Sequence, residues 1–166
     1  MRSTSIKVCY FIGFVICAAM IGFAFYLEYV DYLLPCPLCQ LQRITFAIVG
    51  ALFLIAAIIP VKRVTNVIYG LLIGLFCAIG ALLAGRQVYL QHLPAGSHES
   101  CSANLTYLLK VFSLDKALAM AIKGTGECAE VLWRFLGLNI AEWTLIVFIV
   151  LGLLAFLQMF RAKKSV

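Results

Sequence analysis

Four long apolar runs, at 8–27, 44–59, 64–84 and 140–160, set the pattern of the chain. A bilayer span needs ~20 residues, with ~17 tolerated. The second run is the shortest, and reading it back to position 38 brings it to full length. The predicted spans are therefore 8–27, 38–59, 64–84 and 140–160. None has a charge near its centre, and backbone groups in lipid must be satisfied within the segment, so each is expected to be a helix. The first run follows Arg2 and Lys7 in the manner of a signal peptide. Its apolar stretch is too long for one, and Tyr26, Leu27 and Glu28 close it without a small-x-small cleavage pattern, so it reads as a retained anchor. The fold class expected is all-α: one membrane domain over 1–166, a four-helix transmembrane bundle.

Besides the tight 61–66 turn there are two longer connections, 28–43 and 85–139, the second about 55 residues long. Loops of that length are uncommon unless functional or partly structured. Ser113 is placed to cap a short helix running to Ile122, with Gly124 as its stop. Leu114, Leu118, Ala121 and Ile122 share one face of it, and Asp115, Lys116 and Lys123 lie off that face. That suits a helix resting on a membrane surface, against the plainer reading of a mobile loop with helical tendency.

Composition agrees with the pattern. Of 166 residues, 64% are hydrophobic and 12% charged, with a mean hydropathy of +1.07. A soluble domain of this size has no core large enough for so much apolar surface. Disordered and collagen-like chains are excluded as well. The net charge of +6 would suit a nucleic-acid partner in a soluble protein, but here its distribution reads as topology. Segments 1–7, 61–66 and 161–166 hold seven of the thirteen basic residues and none of the seven acids. The positive-inside rule then puts both termini and the 61–66 turn in the cytoplasm, with loops 28–43 and 85–139 outside.

Seven cysteines divide by position. Cys9, Cys17 and Cys77 fall within spans and read as small packing residues. Cys36, Cys39, Cys101 and Cys128 lie two per outer loop, and outside a bacterial inner membrane thiols meet an oxidising compartment, which suggests two disulfides. Cys36-Pro37-Leu38-Cys39 is a C-x-x-C opening the second span, and such motifs often carry a depressed thiol pKa. Cys39 is expected in the first helical turn, where free N–H groups and the helix dipole favour a thiolate. Arg43 is one turn further on the same face, with no acidic partner evident nearby in sequence. Haem attachment would need His after the second Cys, where Gln40 stands. A zinc ribbon would need a second C-x-x-C, so no metal is expected. A purely stapling role is the bland alternative: closing the 101–128 loop would contribute roughly 3–4 kcal/mol on the chain-entropy view. A 36–39 bond closes almost nothing, which favours reactivity. Nucleotide-binding and haem signatures are missing, leaving a lipid-soluble electron acceptor, for which a quinone qualifies.

With CPLCQLQR (36–43), GRQVYLQHLP (85–94), Cys101 and GTGECAEVLWRFLGLNIAEW (124–143) in view, the chain resembles the disulfide bond formation protein B (DsbB) family of bacterial inner membranes. The resemblance covers nearly the whole chain. It implies a quinone-dependent oxidoreductase that reoxidises a periplasmic thioredoxin-fold dithiol oxidase (DsbA-like), with ubiquinone or menaquinone as acceptor. It implies redox-active disulfides Cys36–Cys39 and Cys101–Cys128, Cys39 nearest the quinone ring and Cys101 attacked by the soluble partner. Arg43 would support quinone binding, and His92 is a candidate for a quinone-side histidine, against the reading of an interfacial histidine. Two rivals come from other classes. A vitamin K epoxide reductase-like enzyme usually carries its C-x-x-C late in the chain. A structural bundle with a stapled loop would not need Arg43 beside Cys39, and its 36–39 bond would not turn over.

Overall fold

Four helices carry the structure, a computed structural model that describes residues 2–30, 32, 35–59, 63–92, 113, 115, 116, 119, 128 and 133–163. They are α1 (Arg2–Tyr29), α2 (Pro37–Ile58), α3 (Arg63–Gln91) and α4 (Ile140–Lys163). Each contains a stretch long and apolar enough to cross a membrane: Ile6–Tyr29, Pro37–Ile58, Val64–Gln91 and Ile140–Phe160. All four expected spans are present as helices. Consecutive helices pack together, α1 on α2, α2 on α3 and α3 on α4.

The helices bury one another along narrow seams and turn large side chains such as Phe11, Leu71, Leu82 and Phe156 outward. In lipid that costs nothing, because the surroundings are as apolar as the interior, and packing rather than water exclusion joins the helices. The seam is filled by Tyr10, Phe46, Val49, Phe53, Ile73, Phe148 and Leu151. Phe46 stacks on Phe148 with centroids 4.1 Å apart. Gly80 makes room for that pair: a Cβ there would lie 2.4 Å from the Phe148 ring.

Helix ends show how far local sequence reaches. Pro37 occupies the first turn of α2, where its missing N–H costs no bond and its fixed φ suits the helix. At α4, Asn139 and Glu142 form a reciprocal cap: the Glu142 N–H donates to Asn139 Oδ1 and the Asn139 N–H to Glu142 Oε2, each at 2.8 Å. This is the capping-box arrangement. α3 continues past the expected boundary at 84 to Gln91. Apolarity fades there, but GRQVYLQ holds only one weak breaker, Gly85, so the backbone ladder goes on.

The expectation of a loop up to position 139 needs a second correction. A small antiparallel hairpin precedes α4, β1 (Arg134–Phe135) and β2 (Leu138–Asn139), with Arg134 opposite Asn139. Its two turn residues, Leu136 and Gly137, both have positive φ, 53° and 82°, as a two-residue hairpin turn of this hand requires. Asn-Gly or Asp-Gly is the usual signal, and Leu-Gly is not one. The indole N–H of Trp143 donates to the Phe135 carbonyl at 3.2 Å, tying the hairpin to α4. Of the expected surface helix, Asp115, Lys116 and Ala119 are helical and exposed. Ser113 hydrogen-bonds the Asp115 carboxylate, which holds that carboxyl below its usual range. Leu114, Leu118, Ala121, Ile122, Lys123 and Gly124 lie outside the described residues.

Candidate functional site: a thiol cluster at one end of the bundle

Cys36 is the N-cap of α2, and its Sγ accepts the Cys39 backbone N–H at 3.2 Å. One turn of helix therefore brings both sulfurs of the C-x-x-C to the same end of the helix. Cys39 sits in the first turn, as its position in the motif predicts. The third thiol arrives from far along the chain. Cys128 is fully buried and packs with Cys36, Leu38 and Leu90, with Cys39 and Leu83 at the edge. Cys36 lies between the other two and shares side-chain hydrogen bonds with Cys128 and with Cys39. Those bonds, followed by burial, hold the Cys36 thiol above its ordinary range. Cys36 and Cys39 are free thiols. Cys101 lies outside the described residues, so its expected bond to Cys128 does too.

α3 supplies the polar lining. Gln87 Nε2 donates to Cys39 Sγ at 3.2 Å and reaches Cys36 Sγ at 3.7 Å. Its carbonyl Oε1 accepts from Gln42 Nε2 at 2.9 Å. Both glutamines are buried, 4% and 5% exposed. Buried polar groups in a membrane protein carry a large penalty unless paired, so such residues mark function by default. Neither was singled out from the sequence. The available signal was an amide among mostly apolar neighbours, Gln42 three residues after Cys39 and Gln87 at a position that reaches the C-x-x-C only because α3 extends beyond 84.

Cys39 also opens onto an apolar pocket between α1, α2 and α4. Its walls include Ala24, Leu27, Gln42, Arg43, Phe46 and Thr144. Arg43 is thus on the Cys39 face, as expected. Its lack of an acidic partner is corrected by the structure: Nη1 pairs with Glu28, and Nη2 donates to the Ala24 carbonyl at 2.9 Å. The guanidinium carbon also sits 5.3 Å from the centre of the Phe25 ring. Glu28 is fifteen residues back on another helix, which sequence proximity does not reveal. The enclosed part of the pocket is about 100 Å³, below the ~150 Å³ that seats one benzene ring. A second apolar hollow, lined by Met20, Phe23, Ile140, Trp133, Phe135 and Trp143, shares its first three residues with this pocket.

His92 is placed elsewhere. It is exposed at the end of α3, with its ring Nδ1 2.8 Å from the Val88 carbonyl, and is not among the pocket's lining residues. Cys9, Cys17 and Cys77 stay within the helices, Cys17 and Cys77 in the packed seam.

A four-helix membrane bundle with a three-thiol cluster at one end, open to an apolar pocket, defines a class: multi-pass membrane proteins equipped for thiol chemistry. Residues 6–158 match the family described as "Disulfide bond formation protein DsbB". The chain is 48% identical over 140 residues to a "Disulfide bond formation protein B" of Hahella chejuensis, covering 84% of this chain and 85% of that one. It is 41% identical over 157 residues to the protein of that name from Nitrosococcus oceani, with 95% and 93% covered. A third, from Marinobacter nauticus, is 44% identical over 153 residues, with 90% and 91% covered. The chain belongs to the disulfide bond formation protein B family, and so to the membrane oxidoreductases that form disulfide bonds.

Proposed function

We propose that this protein oxidises a soluble periplasmic dithiol oxidase of thioredoxin fold (DsbA-like) and passes the electron pair to a quinone of the bacterial inner membrane, with both of its termini cytoplasmic. The observation that carries the reading is Cys36 held between Cys128 and Cys39. A thiol that touches two others is where one disulfide can be exchanged for another.

The chemistry follows from that order. The partner's dithiol reduces the Cys101–Cys128 disulfide through a mixed disulfide at Cys101, leaving the partner oxidised and Cys101 and Cys128 as thiols. Cys128, as thiolate, attacks Cys36 of the Cys36–Cys39 disulfide. The Cys36–Cys39 bond breaks, a Cys36–Cys128 bond forms, and Cys39 leaves as thiolate facing the pocket. Cys101 then attacks Cys128, which restores the Cys101–Cys128 disulfide and releases Cys36. The reduced Cys36–Cys39 pair finally gives up two electrons and two protons and closes again. A quinone supplies the acceptor for those electrons and protons, leaving as quinol.

The pocket suits such a ring in kind: apolar walls, Cys39 on its edge, and the amide of Gln42, the hydroxyl of Thr144 and the guanidinium of Arg43 as donors. Arg43, fixed by Glu28 and Ala24, presents positive charge where a reduced quinone gains negative charge. The adjoining hollow offers apolar room for a tail. His92 stands in this reading only as a rim residue.

Thiol trapping in isolated membranes tests the whole. The Cys36–Cys39 disulfide should form when quinone is present and stay reduced when the quinone pool is depleted. Cys101→Ser should keep that response and lose oxidation of the partner, and in Cys128→Ser the Cys101 thiolate, attacking the disulfide of the oxidised partner, should form a long-lived mixed disulfide that no Cys128 resolves. Normal partner oxidation by Cys101→Ser would sink the relay, and a 36–39 pair indifferent to quinone would sink the acceptor.

A further inference from the structure

Gln87 meets the reactive sulfurs and Gln42 meets Gln87, and the thiol exchange proposed above gives neither amide a part. Gln87 can present either end of its carboxamide to the cysteines. Gln42 decides which, because its Nε2 donates to Gln87 Oε1 at 2.9 Å and so leaves the Gln87 –NH₂ turned toward sulfur. From there Nε2 lies nearer Cys39 Sγ, at 3.2 Å, than Cys36 Sγ, at 3.7 Å. We infer that Gln87 is a catalytic hydrogen-bond donor that singles out Cys39 as the electron-rich sulfur of the reduced pair, and that Gln42 is a positioning residue acting through it. The inference rests on the Cys36–Cys39 pair being the one that turns over.

The physical need for such a donor is clear at this site. Cys39 lies at the edge of an apolar pocket, where a sulfur gaining negative charge finds little solvent. Arg43, whose guanidinium shares the pocket wall with Cys39, has its Nη1 on Glu28 and its Nη2 on the Ala24 carbonyl. Cys36 shares side-chain hydrogen bonds with Cys128 and with Cys39, and so divides its one S–H between two sulfurs. The Gln87 amide N–H, 3.2 Å from Cys39 Sγ, is the donor that reaches Cys39 from outside the thiol cluster, and hydrogen bonds to charged acceptors are about twice as strong as those between neutral groups. The same bias suits both halves of the cycle. Cys39 is the better leaving sulfur when Cys128 attacks Cys36, and afterwards the sulfur that faces the acceptor.

Regioselective alkylation reads this directly. The full-length protein, reduced and held in quinone-free lipid nanodiscs, is treated with less than one equivalent of iodoacetamide, and the Cys39-to-Cys36 labelling ratio is measured by peptide mass spectrometry. Gln87→Met keeps the length and apolarity of the side chain but removes the donor, and should lower the ratio about tenfold, the worth of one hydrogen bond to a charged group. Gln42→Met leaves Gln87 free to turn and should lower it about threefold. The double variant should fall no further than Gln87→Met alone, since one residue acts through the other. In membranes with quinone, Gln87→Met should lower kcat about tenfold with quinone KM within about twofold, the pattern of an interaction made during reaction. An unchanged ratio in either single variant, or strictly additive losses in the double one, would overturn the assignment. Should Gln87→Met fail to insert, Gln42→Met still decides. The labelling uses neither quinone nor partner. A ratio that responds in a protein unable to reduce quinone would fault the proposed function alone, and the reverse result would fault this inference alone.

Discussion

Arg43 joins two tasks in one side chain. Its pairing with Glu28 and Ala24 ties α2 to α1, and the same guanidinium forms part of the wall around the pocket at Cys39. Both partners are partly open, with side chains 21% and 28% exposed, so the ion pair contributes at most ~1 kcal/mol to stability. Arg43→Ala should therefore insert normally while raising the apparent quinone KM about tenfold through the lost charged donor. Arg43→Lys keeps charge but not the planar fork, and should show a milder rise. Steady-state quinone reduction over a concentration series checks this, and wild-type constants in Arg43→Ala would leave the residue as a helix tie only. Cys36 offers a pH test. Hydrogen bonds with Cys128 and Cys39, then burial, raise its pKa, so at neutral pH little of it is thiolate. In the reduced protein its alkylation should be slow at neutral pH and speed up as pH rises, and Cys128→Ala should bring that acceleration to lower pH. A rate at neutral pH as fast as that of an open thiol would contradict the geometry.

Helix ends decide what the site contains. α2 could be read almost to the residue, because Pro37 and the C-x-x-C announce a first turn and the effect is local. α3 could not. Its apolar run stops near 84 while its helix goes on to Gln91, and that extra length carries Gln87 to the sulfurs. The hairpin at 134–139 was hidden for a related reason: Leu136 takes a positive φ that its side chain does not advertise. At α4 the reciprocal Asn139–Glu142 bonds predict that Asn139→Ala costs about 1 kcal/mol, seen as a lower Tm in detergent. Deeper in the bundle, Gly80→Ala would drive a Cβ into the Phe148 ring, itself stacked on the pocket residue Phe46. An overpacked contact of this kind costs roughly 1–3 kcal/mol. Thermal unfolding should show that loss together with weaker quinone binding, and a Gly80→Ala protein with unchanged Tm would mean that the rings yield freely.

The bundle as a whole was legible because lipid leaves the chain few choices. Runs of about twenty apolar residues must be helices, and four of them in one short chain must pack side by side. The segregation of basic residues predicts the direction of crossing: a phosphatase reporter fused after Val166 should be silent, since that enzyme needs the periplasm, whereas a fluorescent protein there should fold and glow. An active phosphatase would invert the topology. What the sequence could not convey was which distant pieces meet. Cys36 and Cys39 are neighbours by helix geometry, but Cys128 reaches them only through tertiary packing against Leu38 and Leu90. Glu28 reaches Arg43 across a helix pair in the same way, and no local pattern encodes either meeting.

One contact at the start of α2 has a further use. The sulfur of Cys36 accepts the backbone N–H of Cys39, so in the proposed relay the atom that changes bonding partner in each cycle is also the atom that finishes the helix. Every change at that sulfur alters the environment of a single main-chain proton. The Cys39 amide, observed by isotope-edited magnetic resonance, is therefore a native clock for the reaction, ticking with each exchange and needing no dye, tag or added substrate analogue.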